Sequence, residues 1–234
     1  MALANSTMAA MCRPQTSPVF GPDGQVNRAI LDQNIDIYCK MIAHAATEYG
    51  ARLISFPQFS LTGYTPLDSL AWADASVTFP GPDIGKIADA AKAANAYVVV
   101  EVAEQHPAFP GRFFRSAAVL TPAGEIGLVY RKNYSMSTRT SPVDVQDQFV
   151  ETFGSDAFFP VLETEIGNIG VIIGAEAHWP EATRALALKG AEIIINPIAA
   201  SPFIDYLKRP GAQEVRRVRA FESVTYFGVP NIEG

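Results

Sequence analysis

Leu31, Asn34, Ile35, Tyr38, Met41, Ile42, Ala45 and Tyr49 recur at steps of three and four residues. That is the period of one helical face, and it predicts an amphipathic helix over roughly residues 27–49, with Gly50 just past its end. The following run, ARLISF, is closed by Pro57 and reads as a short buried strand. Residues 82–95 predict a second helix with proline near its start, and AYVVVEVA, β-branched through its centre, is the clearest strand. SAAVLT and IGLVYRK, joined by PAGE, predict a hairpin. A polar loop is expected over about 133–157. Beyond it, NIGVIIG reads as a strand and PEATRALALKG as a helix opened by Pro180 and stopped by Gly190. AEIIINP is again a strand, PGAQEVRRVRAFES a helix and VTYFGVP a last strand.

Alternating strands and helices with one inserted hairpin imply a mixed sheet covered by helices, an α/β or α+β layered domain. Strands such as YVVVEV and IIIN are apolar on both faces, so they belong between two layers. Residues 1–25, rich in Ser, Pro and Gly, read as a loose lead-in, and 26–234 as a single domain.

Charge narrows the partners. The 24 acidic residues exceed the 18 basic ones, giving a net charge of −6, so no basic surface is offered to nucleic acid or to an anionic membrane. No run of 18 apolar residues occurs, and MALANSTMAAM has no basic start or long apolar core. A cytoplasmic protein is therefore expected. Cys12 and Cys39 lack metal-ligand spacing and are expected as reduced thiols, a disulfide between them being the alternative; no metal or cofactor is implied.

Three segments able to carry chemistry lie where a strand gives way to a loop: FPQFSLTGY, YRKNY and IGVIIGAEAHWPE. Open α/β sheets place their binding crevices at such ends. Singly, each has a plain structural reading. Gln58 satisfies loop backbone groups, Lys132 is a solvated lysine after a strand, and Glu176, His178 and Glu181 form the polar start of a helix.

Their order together resembles the nitrilase, or carbon–nitrogen hydrolase, superfamily, whose members carry FPE…TGY, a lysine in a YRK-like strand end and GxxICYDxxFPE…ALxxxGA. Here the text is FPQFSLTGY, VYRKNY and IGVIIGAEAHWPEATRALALKGAEIIINP, followed by RVRAFESVTYFGVPN, which looks like the family's RARAxENxxYVVxxN. The resemblance runs from about residue 27 to the end and implies a four-layer αββα sandwich. It also implies a Glu–Lys–Cys triad: a base, an oxyanion stabiliser and a nucleophile that forms an acyl intermediate. Carried over residue by residue, Lys132 matches the lysine, Gln58 stands at the glutamate, and Gly174, six before Pro180, stands at the cysteine.

Both departures are chemically severe. A carboxamide does not titrate near neutrality and glycine has no side chain. Losing nucleophile and base costs on the order of 10⁶ in rate in covalent hydrolysis. The resulting expectation is a catalytically silent member acting as accessory subunit, scaffold or small-anion binder. The alternative is an amidohydrolase of non-cysteine mechanism, with Glu151 or His178 activating water, Lys132 holding the oxyanion, or a hydroxyl of YSMSTRTS attacking. Glu151 is placed by the resemblance as an additional pocket carboxylate, and Tyr64, Glu176 and His178 as pocket residues. An uncompensated Lys132 would look for Glu151, Glu176 or a small carboxylate or amide ligand. Relatives continue past VPNIEG into strands that complete the second sheet, so an abbreviated domain is expected, with a homo-oligomer or second protein subunit covering the edge.

Overall fold

The first helix begins where Asn27 turns its side chain onto the backbone N–H groups of Ala29 and Ile30, and it ends at Gly50 in the left-handed conformation (φ 63°). A side-chain cap at one end and a glycine at the other define α1, Arg28–Tyr49. Its stripe Leu31, Ile35, Tyr38 and Ile42 is fully buried. The computed structural model describes residues 6–64, 69–135, 140–199 and 212–232.

A five-stranded sheet has the order β1 (Ala9–Met11), β2 (Leu53–Ser55), β3 (Tyr97–Glu104), β4 (Phe114–Leu120), β5 (Ile126–Arg131). β1, β2 and β3 are parallel, and β3–β4–β5 is antiparallel. A second sheet runs β6 (Val161–Leu162), β7 (Ile169–Val171), β8 (Ile193–Ile195), β9 (Tyr226–Gly228). Alternation along β3 builds two cores. Val98, Val100 and Val102, with Ala118 and Leu120 of β4, pack against α1 and against Ile84, Ile87 and Ala91 of α3 (Pro82–Ala94). Tyr97 and Val99, with Val119 and Tyr130, instead meet Ile169, Val171, Ile194 and Ile195 of the second sheet.

Outside the second sheet, Leu186 of α5 (Pro180–Leu188) lies over Gly170, whose missing Cβ lets the helix approach. Helix α6 (Ala212–Ser223) packs against α5 and β9. The layers are therefore α–β–β–α, a mixed α/β sandwich, as expected. The inner strands β2, β3 and β4 are buried on both faces, which explains the near-continuous apolar runs of β3 and β4.

Several elements differ from the expectation. Residues 9–11, within the stretch read as a loose lead-in, pair in parallel with β2. The expected polar loop holds α4 (Gln146–Phe153), whose Phe149 is buried among Phe109, Phe114 and Phe158. A short helix, α2 (Ser69–Asp74), and strand β6 were not anticipated. Cys12 and Cys39 are free thiols, and burial pushes that of Cys12 up to about 11. Among the described residues no helix is long and apolar enough to cross a membrane.

Candidate functional site

Three chain segments leave the two sheets and converge. After β2 the chain runs through Phe56 and Pro57 to Gln58, whose backbone N–H reaches the carbonyl of Ile198 at 3.3 Å. The turn is tight: Phe59 takes φ +60°, and its N–H donates to Glu101 Oε2 at 2.9 Å. Below it, Ser60 bonds to the Pro57 carbonyl at 2.7 Å and to the hydroxyl of Tyr38. Gln58 is buried.

From β5, Lys132 continues the ladder, its N–H donating to the Arg115 carbonyl at 2.8 Å. Its side chain is nearly enclosed. Burial lowers the ammonium's pKa, while the carboxylates of Glu176 and Glu101 pull it back up.

The third segment follows β7. Gly174 opens a 3-10 turn, Gly174–His178, in the left-handed region at φ +61°. Its N–H donates to the Pro197 carbonyl at 2.8 Å, and its carbonyl accepts from Asn196 Nδ2 at 3.1 Å. Asn196 is in turn held by Arg216 Nε at 2.9 Å, reaching over from α6. A Cβ placed on Gly174 would stand 2.6 Å from Gln58 Oε1 and 3.4 Å from Lys132 Nζ. Gln58, Lys132 and Gly174 therefore face one another, although 42 residues separate the last two. The space beside Gly174 where a side chain would grow is partly taken by the Gln58 carboxamide.

Glu176 is fully buried and serves the frame. Its Oε1 accepts from the Tyr130 hydroxyl (2.8 Å) and the N–H groups of Asn133 (2.8 Å) and Tyr134 (3.1 Å), and its Oε2 from the Ile173 N–H (2.8 Å). This single carboxylate staples the exit of β5 to the Gly174 turn. Burial raises its pKa, against the opposing pull of Lys132 and the four donors.

The remaining sequence candidates have other surroundings. His178 is half-buried; burial first, then the positive Arg216 and Arg219, push its imidazole below the usual value. Tyr64 is exposed and meets Phe59 edge-on at 5.3 Å. Glu151, expected as a pocket carboxylate, is exposed. It lies on the solvent side of α4 and makes no ion pair among the described residues. The reason is angular: Phe149 anchors the helix, and a residue two further on is rotated about 200° away. Of YSMSTRTS, residues 136–139 lie outside the described residues, while Thr140 and Ser141 are buried.

Two site-side charges escaped sequence reasoning. Glu101 in β3 and Arg115 in β4 are buried against each other, Arg115 Nε–Glu101 Oε1 at 2.7 Å and Nη2–Oε2 at 2.5 Å. The available signal was a charge inside an apolar strand, which must find a partner. Among the described residues no group of His, Cys, Asp and Glu is arranged to hold a metal ion.

Comparison with known proteins places this geometry. A carbon-nitrogen hydrolase family model matches residues 10–231. Formamidases of Bacillus thuringiensis (strain Al Hakam) and Bacillus cereus (strain B4264) are 31% and 30% identical over 174 residues, covering 73% of this chain and 48% of theirs. The chain thus spans about half the length of these curated relatives. Among solved structures, a cysteine-to-alanine mutant of an amidase from Nesterenkonia shares the fold at TM-score 0.73 and 18% identity, over 100% of this chain and 79% of that one. A double mutant of that amidase, glutamate to glutamine and cysteine to alanine and in complex with acrylamide, gives TM-score 0.72 at 21% identity, over 100% of this chain and 79% of that one.

Proposed function

Because the chain belongs to the carbon–nitrogen hydrolase family, we propose that the space between Gln58, Lys132 and Gly174 receives a small acyl compound, a carboxamide or its acid, and holds it without a covalent step. The observation that carries this reading is the position of Gly174. The Cβ site next to Lys132 and Gln58 is where a nucleophilic side chain would have to begin, and this chain has none there. Acyl transfer to a thiol is then unavailable, since Cys12 lies in the α1-side core and Cys39 on α1. The Nesterenkonia double mutant supports binding without reaction: with a glutamine and an alanine in place of glutamate and cysteine, it is in complex with acrylamide. A binding or accessory role follows from such a site.

A second reading has a specific observation in its favour, the formamidase relatives at 30–31% identity. In it, water replaces the thiol. The oxygen of water bonds to the carbonyl carbon, the C–N bond breaks, and acid and ammonia leave. The proton released by the water needs an acceptor. Glu176 is occupied by four donors, so the acceptor beside Gln58 is the neutral fraction of Lys132, which burial enlarges.

Calorimetric titration with formamide, acetamide, formate and acetate, run beside an ammonia assay, separates the two. Saturable binding with no ammonia supports the first reading. Ammonia release that disappears in Lys132→Met supports the second. Absence of both binding and release removes both.

A further inference from the structure

The buried charges along the first sheet leave donors over. Arg115 meets Glu101 through Nε and Nη2, so Nη1 lies on the far edge of the guanidinium, buried and with no hydrogen-bond partner. Arg115 is only 4% exposed. Its guanidinium carbon sits 4.2 Å from the Phe59 ring centre and 4.9 Å from that of Trp72, which fixes the plane. The third donor to Glu101 is the Phe59 N–H, so its Oε2 accepts two bonds and its Oε1 one.

Register places this arginine. Lys132 donates its backbone N–H to the Arg115 carbonyl, and Ser116 pairs with Arg131 one step back. Residues directly opposed in an antiparallel ladder share a face. Arg115 and Lys132 thus stand side by side on the face that carries Ala117 and Tyr130, turned toward the second sheet and Gly174. Among the described residues, the Lys132 ammonium has no hydrogen bond or ion pair either.

The inventory is lopsided. Lys132 supplies three N–H donors and Arg115 Nη1 two, and neither accepts. Gln58 supplies both kinds, through Nε2 and Oε1. Of the two acids that act on Lys132, Glu176 accepts four protein donors and Glu101 three, two of them on Oε2. A carboxamide brings two N–H donors of its own into a place where unpartnered donors outnumber the spare acceptors, which are Gln58 Oε1 and one lone pair of Glu101 Oε1. A carboxylate brings acceptors alone, and charge-assisted hydrogen bonds to it are the stronger kind.

We propose that the ligand of this site is a small carboxylate, shared between Lys132 Nζ and Arg115 Nη1 with the Gln58 carboxamide as a third contact. This rests on the reading that the space between Gln58, Lys132 and Gly174 takes a small acyl group, and it names the ionised acid as the preferred form. Arg115 is then the residue that sets specificity.

The test is calorimetry on the full chain at constant ionic strength, with acetate against acetamide and propionate against propionamide. At pH 7 each acid binds at least tenfold tighter than its amide. Arg115→Gln alone strands Glu101, so the informative variant is Arg115→Gln with Glu101→Gln, which keeps a neutral hydrogen-bonded pair. With its circular dichroism unchanged, that variant loses the tenfold preference and still binds amide. A second measurement needs no variant: acetate affinity falls as pH rises through the range where Lys132 loses its proton, and acetamide affinity does not. Equal binding of acid and amide, or a preference that survives the double replacement, or a flat acetate profile from pH 7 to 10.5, overturns the carboxylate assignment and leaves the acyl-binding reading intact. No binding of either class overturns both.

Discussion

Two arginine–glutamate pairs lie on opposite faces of the same sheet and are built alike, yet they do different things. Glu104 and Arg131 meet through Nε (2.8 Å) and Nη2 (2.5 Å), just as Glu101 and Arg115 do. The outer pair is capped on its acid side. The Ser116 hydroxyl completes Glu104, and Phe153 covers the Arg131 guanidinium at 3.7 Å. The inner pair has the same fork and the same aromatic cover, but its spare Nη1 is buried away from water and it has Lys132 for a neighbour. Glutamates at 101 and 104 differ by an odd number of residues, so strand alternation alone sends them to different sides. One side is filled by the α4 aromatics and the other borders the site. A buried ion pair is thus no signature of function by itself; what counts is whether a spare donor is shut away from water beside a site.

The largest expected effect breaks the outer pair. Arg131→Ala leaves Glu104 charged and buried, at a cost of about 3–5 kcal/mol. Urea denaturation measures it, and a loss below about 1 kcal/mol would show that the outer pair does not hold the sheet. Next comes the staple. Glu176→Gln turns one acceptor into a donor facing an N–H group, costing about 1.5–3 kcal/mol for hydrogen bonds to a charged group. It also removes the strongest influence holding the Lys132 pKa up, so the pH at which acetate binding fails moves down. The same lysine gives a pH signature in the ligand-free protein. Between its lowered pKa and 10.5 the unfolded chain holds a proton that the folded chain has shed, so its contribution to stability rises as pH climbs through that window. In Lys132→Met this part of the slope is gone.

Smaller effects sharpen the geometry around the inner pair. Gly174→Ala forces an L-residue to φ +61°, a cost of about 1–2 kcal/mol, and drives a methyl to within 2.6 Å of Gln58 Oε1. Thermal melting reports the strain. Calorimetry reports weaker acyl binding as the carboxamide is displaced; unchanged affinity would separate Gly174 from the site. Smallest of all, Glu151→Ala stays within about 0.5 kcal/mol of the parent in urea denaturation and leaves binding untouched, because its side chain faces solvent. A marked loss of ligand affinity there would restore Glu151 to the site.

Much of the frame was legible because local chemistry wrote it. Asn27 and Gly50 bracket α1, Pro82 opens α3, Pro180 opens α5, and the β-branched centre of β3 favours a strand. The ordered blocks around Gln58, Lys132 and Gly174 named three positions that the fold brings together. What was missed lacked a local signal. β1 is Ala-Ala-Met, a strand only because β2 offers it a parallel edge. α4 reads as polar, and it is helical where Phe149 can reach Phe114 and Phe158.

The sequence alone determined which side chains are present: an amide at 58, an ammonium at 132, no side chain at 174, and the periodicities that make strands and helices. Only the tertiary structure decided which of those groups are spent. Glu176 is saturated, Glu151 points to water and Arg115 keeps a free edge, all consequences of register and helix phase across residues far apart in the chain. A hydrogen bond needs two partners at about 3 Å, and no reading along one strand of text measures the distance to another.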